Sequence, residues 1–403
     1  MTLPREEIRR GWPAILACFC VAIHSWGFGF YGLSAYVARL TLEQGWPAAL
    51  TSGATVGYYL FSAVLLVRAP AAVQRFGART VLLGGAAGMS LGAILVGHAT
   101  APWHLFAGFV VLGGGWAFAS VAAIAAVIAQ WFDTRRGLAM SLALNGASVA
   151  GFTVAPALVW LADRWGLATA TTWLALGTLA LVVPVVLLGL RGTPPVPAAP
   201  LPGAAPERGE ILVSQRAALA SRRFWMVALP FTVAIMAQVG LVVHLVSVLL
   251  PPLGATGAGI GVGLVAVAAM AGRVALGPLL DRWNQRRLGA AGLLVQAAGL
   301  ALIIALPAHK PALYIACVLF GLAVGNNITI PPLLLQRSFT RASFGLAVGL
   351  YSALAQVAYA FTPGLFGLLR DATGGYATVL ATAIAMQLTA ALLLLSHRPH
   401  PPP

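Results

Sequence analysis

The feature that most constrains this chain is a recurrence. Twelve times between residues 14 and 396 the sequence runs for roughly 20 residues with at most one Asp, Glu, Lys or Arg. A hydrocarbon layer about 30 Å thick takes about 20 apolar residues per helix to cross, and in lipid only a helix or a closed barrel satisfies its own backbone. The runs fall at 14–40, 48–68, 80–99, 103–131, 137–161 and 168–190. After a gap they resume at 224–250, 257–280, 288–306, 311–335, 344–369 and 376–396. They predict an all-α membrane protein of about twelve transmembrane helices.

Composition agrees. Only 8% of the 403 residues are charged and 60% are hydrophobic, where a soluble domain carries about a quarter charged residues to face water. The net charge of +15 would point to nucleic acid in a soluble protein. Here the cations sit in short clusters between apolar runs, so they read as orientation signals and contacts with anionic membrane lipids. Cys18, Cys20 and Cys317 lie inside apolar runs and read as small buried hydrophobes, with no disulfide or metal framework. The first run is far longer than the ~7–15 residues of a signal-peptide core. No cofactor is expected.

The gap divides the chain. Residues 1–190 are expected to form one six-helix bundle and 223–396 a second. The Pro/Ala-rich stretch within 191–222 reads as a linker, ending in a segment that suits the membrane surface. Residues 397–403 read as a disordered tail. Nineteen of the 24 Lys and Arg residues fall on the side of the linker and both termini; Arg39, Arg164, Lys310 and Arg370 fall on the other, and Arg273 lies within a span. Positive charge stays inside, so both termini are expected in the cytoplasm. The chain also resembles itself. Gly137-Leu138-Ala139-Met140 opens a run with Pro156 late in it. About 208 residues on, Gly345-Leu346-Ala347-Val348 opens another with Pro363 in the matching place. Related halves of this kind are a transporter arrangement.

Several motifs then carry a resemblance. Gly277-Pro278-Leu279-Leu280-Asp281-Arg282 followed by Arg286-Arg287 resembles the loop between spans eight and nine of the major facilitator superfamily. The partner loop, Pro70 to Arg79, has Gln74 at the acidic position, beside Arg75. Phe30-Tyr31-Gly32-Leu33-Ser34, Gly45-Trp46-Pro47-Ala48, Trp131-Phe132 to Arg136-Gly137-Leu138-Ala139, Val243-His244-Leu245-Val246 and Gly272-Arg273 are similar to the monocarboxylate-porter and oxalate/formate-antiporter branch. The resemblance implies a secondary transporter working by alternating access, monomeric, in which an Arg of span eight binds a substrate carboxylate. It also implies groups this chain lacks. An acidic residue expected four positions before Arg273 is Ala269, a lysine of span one falls near Gly32, and a second cation of span eleven falls at Leu354.

Arg273 stands out from the residues alone. It lies eight residues before Asp281, roughly 12 Å into a helix at ~1.5 Å per residue. An intramembrane Arg costs at least about 2.5–3.5 kcal/mol, and all nine acidic residues fall at helix ends or in loops. A substrate anion in a wet cavity would meet that cost, as would snorkelling or backbone carbonyls. One intramembrane cation favours a monoanion over a dianion. Tyr31 and Tyr58 in the first half, and Asn326, Asn327, Tyr351 and Gln356 in the second, are further candidates to orient a small carboxylate, or else interhelical hydrogen bonds. His24 and His244 are the titratable side chains within spans that suit proton coupling. Asp281 and Arg282, with Gln74 and Arg75, are candidates for a cytoplasmic gate. The expected function is transport of a small organic anion, a monocarboxylate, across a bacterial inner membrane, with protons as a candidate co-substrate and anion binding set mainly by the second half. A drug or small-solute/proton antiporter would place a carboxylate within a span, and a non-transporting sensor would carry a signalling domain. No H-E-x-x-H motif occurs.

Overall fold

A computed structural model describes residues 4–46, 48–192 and 214–396. The Pro/Ala-rich part of the linker and the tail at 397–403 lie outside the described residues. What is described is helical, with no strand among the described residues. Ten segments are long and apolar enough to cross a membrane, or eleven when the bent pair Gly53–Leu66 and Ala69–Phe76 is taken as one span. One of the ten, Arg136–Gly189, is 54 residues long, nearly twice the length of a single crossing. It turns back at Gly166, whose φ of 76° is left-handed, so it supplies spans five and six. The expected runs and the observed helices therefore correspond along the chain.

Span one is made of Pro4–Trp26 and Gly32–Gln44, joined by a π-helical turn at Gly27–Tyr31. Span two is Ala48–Leu66, and after a 52° bend the chain enters the short helix Ala69–Phe76. Spans three and four are Ala78–Gly97 and Pro102–Trp131; spans seven to nine are Arg222–Gly254, Gly257–Arg282 and Gln285–Ala305. Span ten is Lys310–Val324 and Asn326–Ser338, interrupted at Gly325. Spans eleven and twelve are Arg341–Thr373 and Ala377–Ser396. The expected interfacial segment contains the helix Gln215–Ala220, started by Ser214, whose Oγ accepts from the Ala217 amide at 3.2 Å.

The chain forms two compact units, one of Met1–Leu212 with Arg341–Ala353 and one of Val213–Thr340 with Leu354–Pro403. In the first, helices approach closely because glycine faces backbone. A Cβ on Gly146 would strike the Phe19 carbonyl of span one, and one on Gly108 would lie 2.9 Å from Val96. The start of span eleven packs here by the same device. A Cβ on Gly345 would be 2.8 Å from Pro70, and one on Gly349 2.9 Å from Val67. Such seams of small residues are how helices associate where lipid supplies no hydrophobic drive between them. The second unit has an apolar core of Leu241, Leu245, Leu249, Phe320 and Phe366, each no more than 4% exposed.

The polar ends are tied down. In the first unit the Glu7 carboxylate accepts from the amides of Asp133, Thr134 and Arg135 and from the Thr134 hydroxyl, fixing the start of span one to the loop before span five. At the opposite end Arg39 pairs with Asp163, and Glu43 accepts from the Leu167 amide at 3.1 Å. That amide opens the helix beyond the Gly166 turn, so Glu43 caps it from another element. The equivalent turn of the second unit is Gly374, with φ 72°, 208 residues after Gly166, the same offset that separates Gly137 from Gly345.

Candidate functional site

The site grows from a glycine seam between spans eight and ten. Gly321 and Gly325 lie one turn apart on span ten; Val265, Ala269 and Arg273 are spaced by one turn each on span eight. A Cβ on Gly321 would lie 2.6 Å from the Val265 carbonyl, and one on Gly325 2.8 Å from that of Ala269 and 2.5 Å from Arg273 Nε. On the facing helix, a Cβ on Gly272 would strike the Leu322 carbonyl. With no side chain at these positions, the two backbones meet and Arg273 is laid along span ten.

The helical hydrogen bonding of span ten is interrupted for one residue where Arg273 meets it, with Gly325 keeping helical φ and ψ of −66° and −34°. The helix ends at Val324 and restarts at Asn326, and Pro331 and Pro332 follow within the restarted helix. Each proline lacks an N–H, leaving a carbonyl one turn earlier without its helical donor. Arg273 is 3% exposed, and its Nε–H donates to the Gly325 carbonyl at 3.0 Å. The Thr329 hydroxyl donates to the same oxygen at 3.1 Å. The backbone-carbonyl alternative for Arg273 is thus realised at Nε, one of the guanidinium's five N–H donors. That bond sets the plane of the guanidinium against the helix break.

The two asparagines after the break part company. Asn327 turns into the core between spans seven, nine and ten. Its Nδ2 donates to Gln238 Oε1 at 2.8 Å and to Gln296 Oε1 at 3.2 Å, and Gln296 Nε2 donates to Gln238 Oε1 and to the Phe320 carbonyl, both at 3.3 Å. All three amides are at most 6% exposed. Sequence reasoning passed over Gln238 and Gln296, although a glutamine inside a span was the available signal. Asn326, 2% exposed, stays at the break. Its Nδ2 donates to the Leu322 carbonyl at 3.1 Å, while its Oδ1 has no hydrogen-bond partner.

The remaining second-half candidates occupy other places. Gln356 and Tyr359 share a turn of span eleven, the Tyr359 hydroxyl donating to Gln356 Oε1 at 3.1 Å. Tyr351, 4% exposed, falls in the part of span eleven that groups with the first unit. His244 is half-buried near the end of span seven. Its Nε2–H donates to the Pro363 carbonyl at 2.9 Å and its Nδ1 lies 3.2 Å from the Tyr376 hydroxyl, with the Arg370 guanidinium 5.6 Å above the Tyr376 ring.

In the first unit, Tyr58 is buried in an aromatic cluster with Trp116 and Phe109, its hydroxyl donating to the Gly29 carbonyl of the π turn at 2.7 Å. Tyr31 stands edge-on to Phe30 and abuts Gly151 of span five. The same turn explains the missing lysine. A Cβ on Gly32 would lie 2.8 Å from the Gly27 carbonyl and 3.1 Å from the Tyr36 hydroxyl, so a long side chain has no room without moving backbone. His24 is fully buried between spans one, three and six. Its Nε2–H donates to the Ala86 carbonyl at 3.0 Å, and Nδ1 lies 2.9 Å from the Thr178 hydroxyl.

The gate candidates sit at helix ends. Asp281 and Arg282 close span eight, and Asn284 caps span nine by accepting from the amides of Arg286 and Arg287 at 3.0 and 3.3 Å. Gln74 lies in the short helix after span two, its Nε2 4.0 Å from a Cβ placed on Gly345, and Arg75 covers the Phe76 ring at 5.2 Å.

A multi-pass helical protein with related halves and an arginine buried against an interrupted helix is built as a membrane transporter. The sequence profile of the Major Facilitator Superfamily matches residues 17–275 and 246–403, and the chain belongs to that family. It is 32% identical over 203 residues to Monocarboxylate transporter 11 of Homo sapiens, a match covering 46% of this chain and 40% of that protein. It is 35% identical over 92 residues to Monocarboxylate transporter 13 of Bos taurus, covering 23% and 21%. This chain thus spans less than half the length of these curated relatives. The uncharacterized MFS-type transporter YcxA of Bacillus subtilis (strain 168) is 24% identical over 77% of each chain. Among solved structures, the E. coli fucose:proton symporter FucP superposes with a TM-score of 0.70 at 16% identity, over 94% of this chain and 98% of that one. The proton:xylose symporter XylE gives 0.72 at 14% identity, over 97% and 96%. These likenesses carry the fold.

Proposed function

We propose that this chain moves a small organic anion, a monocarboxylate, across a bacterial inner membrane by alternating access, with both termini in the cytoplasm and Arg273 as the anchor of the carboxylate. The observation that carries this reading is the placement of Arg273, buried at 3% exposure in span eight and oriented by the Gly325 carbonyl at a helix break. A guanidinium grips a carboxylate through two parallel N–H donors, and the Nε bond to the Gly325 carbonyl fixes the plane of this one. Two relatives bear the name monocarboxylate transporter. With one cation at this depth, a second carboxylate on the solute would lack compensation, which favours monoanions. Asn326 and Gln356 belong with Arg273 in this reading, and Tyr31, Tyr58 and Tyr351 are the groups of the first unit proposed to orient the solute. Asn327 supports the site from behind. Asp281 and Arg282 in the second unit and Gln74 and Arg75 in the first are the proposed gating groups, and His24 or His244 would carry a coupled proton.

The test is counterflow of labelled small monocarboxylates in proteoliposomes. Arg273→Ala should lower uptake at least about tenfold, the scale of a lost charge-assisted hydrogen bond. Arg273→Lys should recover little, since an ammonium cannot reproduce the planar fork. Uptake by Arg273→Ala equal to the unaltered protein would sink the proposal.

A further inference from the structure

Beside Arg273 lies a buried acceptor that the protein itself leaves unused. Asn326 is 2% exposed, and its Oδ1 has no hydrogen-bond partner. The orientation of the amide is not arbitrary. Its other end meets the Leu322 carbonyl at 3.1 Å, and a carbonyl only accepts, so the nitrogen must face Leu322 and the oxygen must be the lone atom. The same Leu322 carbonyl lies against Gly272, and Arg273 Nε reaches the Gly325 carbonyl three residues on. Asn326 Oδ1 and the Arg273 guanidinium therefore belong to one turn, where span ten is interrupted. A buried carbonyl oxygen with no donor is costly to maintain. In this unit the amide oxygens of Gln238 and Gln296 find donors, and those of Gln285 and Gln387 do not. Of the unpaired ones, Asn326 Oδ1 is the one next to the carbonyl that holds Arg273.

We infer that Asn326 Oδ1 is a specificity-determining acceptor, and that the anion carries a hydroxyl close to its carboxylate, which donates to it. The inference rests on Arg273 holding the carboxylate and goes on to say what else the solute contains. The donor must be neutral, because an ammonium would be pressed against the guanidinium. It must also be near the carboxylate, because the two protein groups share one turn. A keto acid offers a second acceptor facing Oδ1 and is disfavoured; an unsubstituted acid leaves Oδ1 unpaired. A site that hydrogen-bonds a hydroxyl rejects the analogue lacking it far more strongly than an apolar pocket discriminates by size.

The experiment compares lactate, propionate and pyruvate, which share a three-carbon frame, as competitors of one labelled monocarboxylate in proteoliposome uptake. The unaltered protein should prefer lactate to propionate and to pyruvate by about tenfold or more in half-inhibitory concentration. Asn326→Leu, similar in size and without an acceptor, should bring the three within about twofold. Equal inhibition by all three in the unaltered protein overturns the inference with no variant needed. So does a lactate preference that survives in Asn326→Leu. Arg273→Ala separates the two readings. If it loses all three anions, the carboxylate anchor stands whatever Asn326 does; if it still binds them, the anchor itself is wrong.

Discussion

At the scale of single residues, two histidines that look alike in sequence have different surroundings. His24 is held on both ring nitrogens inside the first unit. The Thr178 hydroxyl also reaches the Leu174 carbonyl at 2.6 Å, so it can accept from a protonated ring or donate to a neutral one. His244 is half-buried, with Tyr376 on one nitrogen and the Pro363 carbonyl on the other. We expect His24→Gln to lower thermal stability and leave the pH profile of uptake in place, since three helices meet on that ring. His244→Gln should flatten the pH dependence of uptake with little loss of stability. A full pH response in the His244 variant, measured in proteoliposomes of fixed internal pH, would remove His244 from coupling. Neither environment was legible in the sequence, because the partners are 62 to 154 residues away. Arg273 was legible, since a lone cation in an apolar run announces itself.

At the scale of elements, the spans could be read because a membrane crossing is a matter of length and hydropathy. The break in span ten could not, because it depends on what faces it. Gly325 is one glycine among 45 and becomes informative only when Gly272 and Ala269 are seen against it. The same holds for Asn326 and Asn327. Adjacent on the chain, they point about 100° apart around a helix and so serve different neighbours. The seam is testable without touching any polar group. Gly272→Val would drive a branched side chain into the Leu322 backbone, which cannot be trimmed away. We expect that variant to lose anion uptake and to lower the thermal midpoint, the overpacking cost being about 1–3 kcal/mol or more. Gly259→Val, on the same span at a position with nothing within 4 Å, should behave as the unaltered protein. Equal behaviour of the two valine variants would mean that the close approach of spans eight and ten is unimportant.

At the scale of the whole molecule, charge and aromatic residues address the membrane. Exposed apolar side chains such as Val64, Leu181, Leu365 and Leu392, all at least 54% exposed, need lipid around them. The asymmetry of Lys and Arg orients the chain. Cys18, Cys20 and Cys317 are all buried, so the background for thiol labelling is low. A cysteine at exposed Lys310 should react with a membrane-impermeant maleimide on intact cells, and one at exposed Arg191 only after permeabilisation. The reverse pattern would invert the topology. One consequence concerns helical register. The π-helical turn at Gly27–Tyr31 holds a residue more than an α-helical turn would. Loss of one codon there leaves an ordinary turn with both flanks still in phase. Loss of a codon anywhere else in span one rotates everything beyond it by about 100°. The five residues that look most specialised in that helix are thus the place where it can best absorb a deletion.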